Sequence, residues 1–239
     1  MKYRYIYITA LFILCYCLSS CTMSKQIRFI DAKIQQSKYC VNQYNTNPFS
    51  FGIPKFRDSD YKLEIEFREQ KDGKSPYVNS VLIWLGGKKK PIAYWIRAYR
   101  RTVTPQEGCS THIYQQYAFD LVERRDILTL SPRRKELKEL LSFIISNKTY
   151  LSFTSIDLTE KYHAYVEGAQ YSYSIHIRNR TRYNTFTFDD PTTLMELRKY
   201  KELEDFVREI HLIRRAVGAN PMPELERFLP ENTAPQKQE

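Results

Sequence analysis

Glycine is scarce in this chain, with 7 residues in 239, less than half of the roughly 7% usual for soluble proteins. So few glycines argue against glycine-rich phosphate loops and against collagen-like repeats. Histidine is sparse too, with 4 residues scattered along the chain. The motifs of common enzymes are missing: there is no Gly-x-Ser-x-Gly elbow, no His-Glu-x-x-His, no Walker loop and no Cys-x-x-Cys pair. The apolar run at residues 5–18 has 14 residues, short of the 17–25 or so that span a bilayer as a helix. Against these absences stand 14% aromatic residues and a formal charge of +10. The aromatics exclude a disordered chain, because they supply enough apolar surface to build a core.

Lys2 and Arg4 precede the 5–18 run, which ends in Leu18-Ser19-Ser20-Cys21. A positive start and an apolar stretch of this length read as a secretory signal. The tetrapeptide resembles the lipobox of bacterial lipoproteins. That resemblance implies cleavage after residue 20, a diacylglyceryl thioether on Cys21 and an acylated amine, a far firmer hold than one acyl chain gives. It also implies, with Thr22 rather than Asp after the Cys, an outer-membrane location facing the periplasm. The expected organisation is a signal at 1–20, an anchored linker at 21–57, one domain at 58–218 and a flexible tail at 219–239.

Cys15 and Cys17 leave with such a signal, so Cys40 and Cys109 remain beside Cys21. An even pair in an oxidising compartment reads as a disulfide. It would close a loop of about 70 residues, worth roughly 4 kcal/mol in the chain-entropy account. Two other readings stay open: unpaired inert thiols, or a reactive Cys109 served by His112.

Residues 22–57 read as irregular, broken by Asn45, Asn47, Pro48, Gly52 and Pro54. Tyr61, Leu63, Ile65 and Phe67 then alternate with charged residues, the mark of a half-buried strand. Further strands are expected at 77–85, 91–103, 112–122, 150–158, 161–166, 170–178 and 183–188. A helix should open at Ser131-Pro132 and carry Leu137, Leu140, Leu141 and Ile144 on its buried side. A second should run from Asp190-Pro191 to about 217, with Gly218 as its cap. The fold class is therefore α+β: an antiparallel sheet of about eight strands with two amphipathic helices on one side.

No metal, cofactor or nucleic-acid site is expected. A turn at Glu167-Gly168 would leave His163 and His176 roughly 13 Å apart, too far to share a zinc ion. Glu64 and Glu66 read as a solvated strand face, and Asp189 and Asp190 as a helix start. The charge is unevenly spread. Removing residues 1–20 takes Lys2 and Arg4 and no acid, leaving +8. Between Gly73 and Gln106 lie Lys74, Lys88, Lys89, Lys90, Arg97, Arg100 and Arg101, with no Asp or Glu. Trp95, Arg97, Tyr99 and Arg101 alternate onto one strand face. This stretch is either a solvated sheet edge or a contact surface for an acidic protein, made of Lys88, Lys89, Lys90, Trp95, Arg97, Tyr99 and Arg101.

A lipid-anchored α+β domain with one disulfide and no catalytic set is similar in architecture to the periplasmic immunity lipoproteins that neutralise type VI secretion effectors. The resemblance implies a non-enzymatic inhibitor of a secreted toxin. The competing readings are an envelope-assembly accessory lipoprotein and, last, an enzyme. The anchor has a direct check: Cys21→Ala should abolish incorporation of labelled fatty acid and leave unprocessed or soluble protein, and label persisting on the variant would remove the lipobox reading.

Overall fold

The alternation at Leu63–Lys71 does form a strand, β1. It lies near the middle of a six-stranded, wholly antiparallel sheet. In chain order the others are β2 (Tyr77–Leu85), β3 (Ile92–Val103), β4 (Phe119–Leu130), β5 (Tyr171–Arg178) and β6 (Tyr183–Asp189). The spatial order is β4-β3-β2-β1-β5-β6. The computed structural model describes residues 22–35, 56–71, 77–103, 119–151, 171–189, 201–220 and 222, and only the backbone at 100–103, 119–125 and 189.

Among the described residues three α-helices accompany the sheet: α1 (22–33), α2 (Arg134–Asn147) and α3 (Lys201–Ala216). Strand periodicity puts Leu63, Ile65 and Phe67 on one face with Val81, Ile83, Ile175 and Ile177. Leu137, Leu140, Leu141 and Ile144 of α2 pack there, with Leu203, Phe206, Ile210 and Ile213 of α3. Phe206 lies 4.8 Å from Phe186 and 4.7 Å from Phe188, ring centre to ring centre, within the range of favourable aromatic pairs.

The α+β class and the antiparallel sheet stand, but the element count differs from eight strands and two helices. Most of the expected strands at 150–158 and 161–166 lies outside the described residues, and Tyr150 and Leu151 are turn and bend. Of the fourth strand expected at 112–122, residues 119–122 belong to β4, which runs on to Leu130, and 112–118 lie outside the described residues. β4 is a sheet edge whose Asp126, Ile127, Leu128 and Thr129 are all exposed, so no alternation is demanded there. Nor do Ser131 and Pro132 open α2. Its N-cap is Arg133, whose backbone N–H donates to Ala216 O at 2.8 Å and ties α2 to the end of α3. Gly218 does cap α3, at φ 80°, with Ala219 N–H donating to Arg214 O at 2.8 Å.

The largest departure is at the start. Residues 22–33, expected to be irregular linker, are helical because Met23, Ile27, Ile30 and Ile34 recur at helical spacing and join the core. Asn179 Nδ2 donates to Asp31 O at 3.0 Å, and Gln26 Nε2 to Ser142 Oγ at 2.7 Å. The folded body thus includes α1.

One buried group sets a pH dependence. Glu209 of α3 is fully buried, and neither carboxyl oxygen meets a hydrogen-bond donor in good geometry. Burial, with Asp205 adding to it, raises its pKa to about 8, although the Thr149 hydroxyl favours the charged form. The folded pKa lies above the unfolded one, so this carboxyl's contribution to stability is fully present below about pH 4.5 and is lost as pH rises toward 8, by roughly 3 kcal/mol at pH 7. Glu209→Gln should therefore raise the melting temperature at pH 8 and lose that advantage near pH 5. An equal shift at both pH values would mean that the carboxyl does not titrate with folding.

Candidate binding surface and buried ion lattice

β3 carries the residues singled out in the sequence, and the sheet distributes them. Lys88, Lys89 and Lys90 are exposed in the β2–β3 turn. Gly87 in that turn has φ 96°, and a Cβ there would stand 2.2 Å from Asp60 O, so only glycine fits against the segment before β1. Trp95 is no free anchor. It is half-buried against the helical core, with the Arg214 guanidinium 5.5 Å above its ring.

Arg97 and Tyr99 stand elsewhere. Ile92 and Tyr99 are seven residues apart, about 23 Å along a strand, so these two lie toward the far end from the lysines. The seven predicted contact residues therefore do not form one surface. Of Arg101 only the backbone is described, and Cys21, Cys40 and Cys109 lie outside the described residues.

Arg97 and Tyr99 belong to a site that only strand pairing reveals. Two cross-strand rows meet there on the helix-facing side. Tyr171, Lys71, Tyr77 and Tyr99 form one row, and Tyr173, Glu69, Asn79 and Arg97 the other. Arg97 Nε donates to Asn79 Oδ1 at 2.7 Å, and Asn79 Nδ2 donates to Glu69 Oε2 at 2.7 Å. Tyr77 OH donates to Glu69 Oε1 at 3.2 Å. Burial, then the Glu69 charge and this hydrogen bond, raise the Tyr77 hydroxyl to about 12, so it remains a donor. Lys71 Nζ lies 5.9 Å from the Tyr77 ring and 5.5 Å from the Tyr171 ring, within cation–π reach. Arg97 is exposed while Tyr77, Tyr99, Tyr171 and Lys71 are half-buried. The result is an aromatic and charged patch in which Arg97 and Lys71 stand beside Glu69 and, across from Arg97 on β4, exposed Asp126, with the Arg97 guanidinium held from below.

Sequence alone left out Lys71, Tyr77 and Tyr171. Their signal was present in the hairpin pattern: Asp72-Gly73 is a hairpin signal in the sequence, and Lys71 pairs with Tyr77.

The opposite sheet face holds a second arrangement, and it corrects the reading of Glu64 and Glu66 as solvated. They are 1% and 3% exposed. Arg178 meets Glu64 as a two-pronged ion pair, with Nη2–Oε2 at 2.9 Å, and Trp84 Nε1 donates to the same carboxylate. Burial raises the Glu64 pKa while Arg178 opposes it. Glu66 takes the other course. Burial would raise it, but the Arg68 guanidinium at 2.8 Å and the Ser80 hydroxyl at 2.6 Å help hold it at about 2.

His176 is buried here as well, with Ser174 Oγ 2.8 Å from Nε2 and the Tyr183 hydroxyl at Nδ1. Burial drives its pKa down to about 3, with Glu66 opposing and Arg68 and Arg178 reinforcing. A serine beside a histidine invites a catalytic reading, yet a general base works best with a pKa near the operating pH. This imidazole is a neutral hydrogen-bond hub instead. Among the described residues, no group of three or more His, Cys, Asp or Glu converges as a metal site would require.

No known protein family, curated protein or solved structure matches this chain.

The lattice predicts an asymmetry between single and double substitution. Arg178→Ala leaves Glu64 buried without its partner and should lower the unfolding free energy by roughly 3–5 kcal/mol. Glu64→Leu combined with Arg178→Leu should cost much less, as denaturant midpoints would read. A double variant as unstable as the single one would show that packing, not the orphaned charge, sets the loss.

Proposed function

We propose that this chain is a lipid-anchored, non-enzymatic binding protein of the cell envelope. In this reading acylated Cys21 holds it at the outer membrane, facing the periplasm, and it captures an acidic protein at the Arg97 end of its sheet. An inhibitor or immunity role toward a secreted toxin is the specific form of that activity.

The observation that carries the reading is the fixed guanidinium of Arg97 among Tyr77, Tyr99 and Tyr171. Arginine and tyrosine are the residue types that dominate binding energy at interfaces. Asn79 and Glu69 orient Arg97 beforehand, so less conformational freedom is lost on binding. Arg97 and Lys71 are the groups that would meet acidic side chains of such a partner, beside Glu69 and Asp126.

An envelope-assembly role is the second reading, and β4 favours it. This 12-residue strand is a sheet edge with Ile127 37% exposed and Leu128 58% exposed. A strand at a sheet edge is a place where another strand can add.

Capture with a cleavable crosslinker separates the two, since a single toxin and an abundant envelope complex are different catches. With the acidic partner in hand, Arg97→Ala should weaken binding by roughly 2 kcal/mol through faster dissociation. Replacing Lys88, Lys89 and Lys90 by Ser should leave that dissociation rate unchanged. Melting temperatures first establish that each variant is folded. Wild-type dissociation by folded Arg97→Ala and Tyr99→Ala variants would remove this patch as the contact.

A further inference from the structure

The end of the sheet opposite Arg97 gathers positive charge from segments distant in sequence. The β2–β3 turn brings Lys88, Lys89 and Lys90, the β5–β6 turn brings Arg180 and Arg182, and the segment before β1 brings Lys62, all exposed. They are one surface because the segments hold each other. Tyr61 OH donates to Lys90 O at 2.9 Å, and Arg180 Nη2 donates to Ser59 O. Arg182 Nη1 reaches Ile34 O, just past α1, at 3.2 Å. Residues 56–62, 86–90 and 179–182 together carry seven bases and only two acids, Asp58 and Asp60.

The start of the described chain lies at this same end. Ile27 of α1 touches the β2–β3 turn, its Cγ2 being 3.2 Å from where a Cβ on Gly86 would stand. Thr22 is five residues earlier, about 7.5 Å of helix rise. The exposed side of α1 adds Lys25, Arg28 and Phe29, the last 42% exposed. Cationic side chains with an aromatic among them suit the headgroup region of a bilayer.

We infer that this end docks on an anionic phospholipid bilayer. The surface is positive, as anionic headgroups require, and the residue after Cys21 already belongs to a helix built into the core. That leaves no spacer to hold the domain off the membrane. The inference rests on the anchored reading of Cys21, but the basic face alone would still favour anionic lipid.

The test uses the full chain, made with its signal in a bacterial host, extracted in detergent and reconstituted with phosphatidylcholine vesicles with or without phosphatidylglycerol. Flotation with the neutral vesicles reports the acyl anchor. The face is read by mass spectrometry after brief labelling with a water-soluble amine reagent, with exposed Lys135 of α2 as the internal control. In anionic vesicles, labelling of Lys88, Lys89 and Lys90 should slow about threefold or more relative to Lys135, and recover at roughly 1 M salt, where the Debye length is about 3 Å. Equal labelling in neutral and anionic vesicles would overturn the inference, as would protection that requires an added acidic protein. A chain that floats only with anionic vesicles and protects these lysines keeps the docking face and removes the acyl anchor. One that floats with neither overturns both.

Discussion

The carboxylates of Glu64 and Glu66 sit on the central strand of a sheet that is buried on both sides, and much else depends on how they are held. A charge taken out of water is tolerated only when paired and hydrogen-bonded. β1 is therefore committed on both faces: Leu63, Ile65 and Phe67 pack under the helices, while Glu64 and Glu66 need Arg178, Arg68, Trp84 and Ser80. A one-residue slip of β1 would drive both carboxylates into the apolar layer and turn three large side chains onto Arg178 and His176. The ion pairs add modestly to stability, but they specify the register. Once β1 is fixed against β2 and β5, the two rows that meet at Arg97 are fixed with it.

The same commitment explains which elements were legible in the sequence. β1, β2, β3, β5 and β6 were found near their true bounds because one face of each is under the helices and alternation is enforced there. Gly218 was recognisable because a left-handed cap demands glycine. The end of β4 was not, since an edge strand exposed at Asp126–Thr129 has no face that must be apolar. α1 was missed for another reason. Its two isoleucines, Met23 and the following Ile34 are separated by Lys25, Gln26, Arg28 and Lys33, and the Asn- and Pro-rich stretch after it dominated the composition. The polar sheet face misled for a third reason. Alternating Glu signals solvent only when nothing covers that face, and here Phe56 and Tyr61 fold back onto Trp84, 5.7 and 5.6 Å from it between ring centres.

The basic hairpin reads in the sequence as one stretch, either a solvated edge or a contact surface, and the sheet spreads its residues along a strand. Sequence proximity made a single site of residues that nine positions of extended chain hold apart. A strand rises about 3.3 Å per residue, so Lys90 and Tyr99 are about 30 Å from each other. The lysines share their end of the sheet with Arg180 and Arg182, more than eighty residues later, because antiparallel pairing brings alternate turns to the same end. Arg97 likewise shares its end with Lys71 and Tyr171. Charge clustering in sequence was a true signal, and topology decided what it clustered with.

Topology also links the two proposed surfaces. Lys88–Lys90 and Arg97 are carried by one hairpin whose strands are locked into the sheet on both sides. A rigid element of this kind cannot turn both ends toward the same plane. If the lysine end rests on the bilayer beside Cys21, the tyrosine and arginine end points away from it, into the space where a soluble partner diffuses. The absence of a spacer then becomes an advantage for recognition. A domain tethered by a flexible linker would sample all orientations, whereas α1, packed on the core through Ile27 and Ile30, would carry the position of an anchor at Cys21 directly to the sheet. Surface charge at the membrane end would hold the orientation, and the anchor would hold the location. The exposed guanidinium of Arg97 would thus be presented about 23 Å of extended chain beyond Lys90, already aligned by Asn79 before any partner arrives.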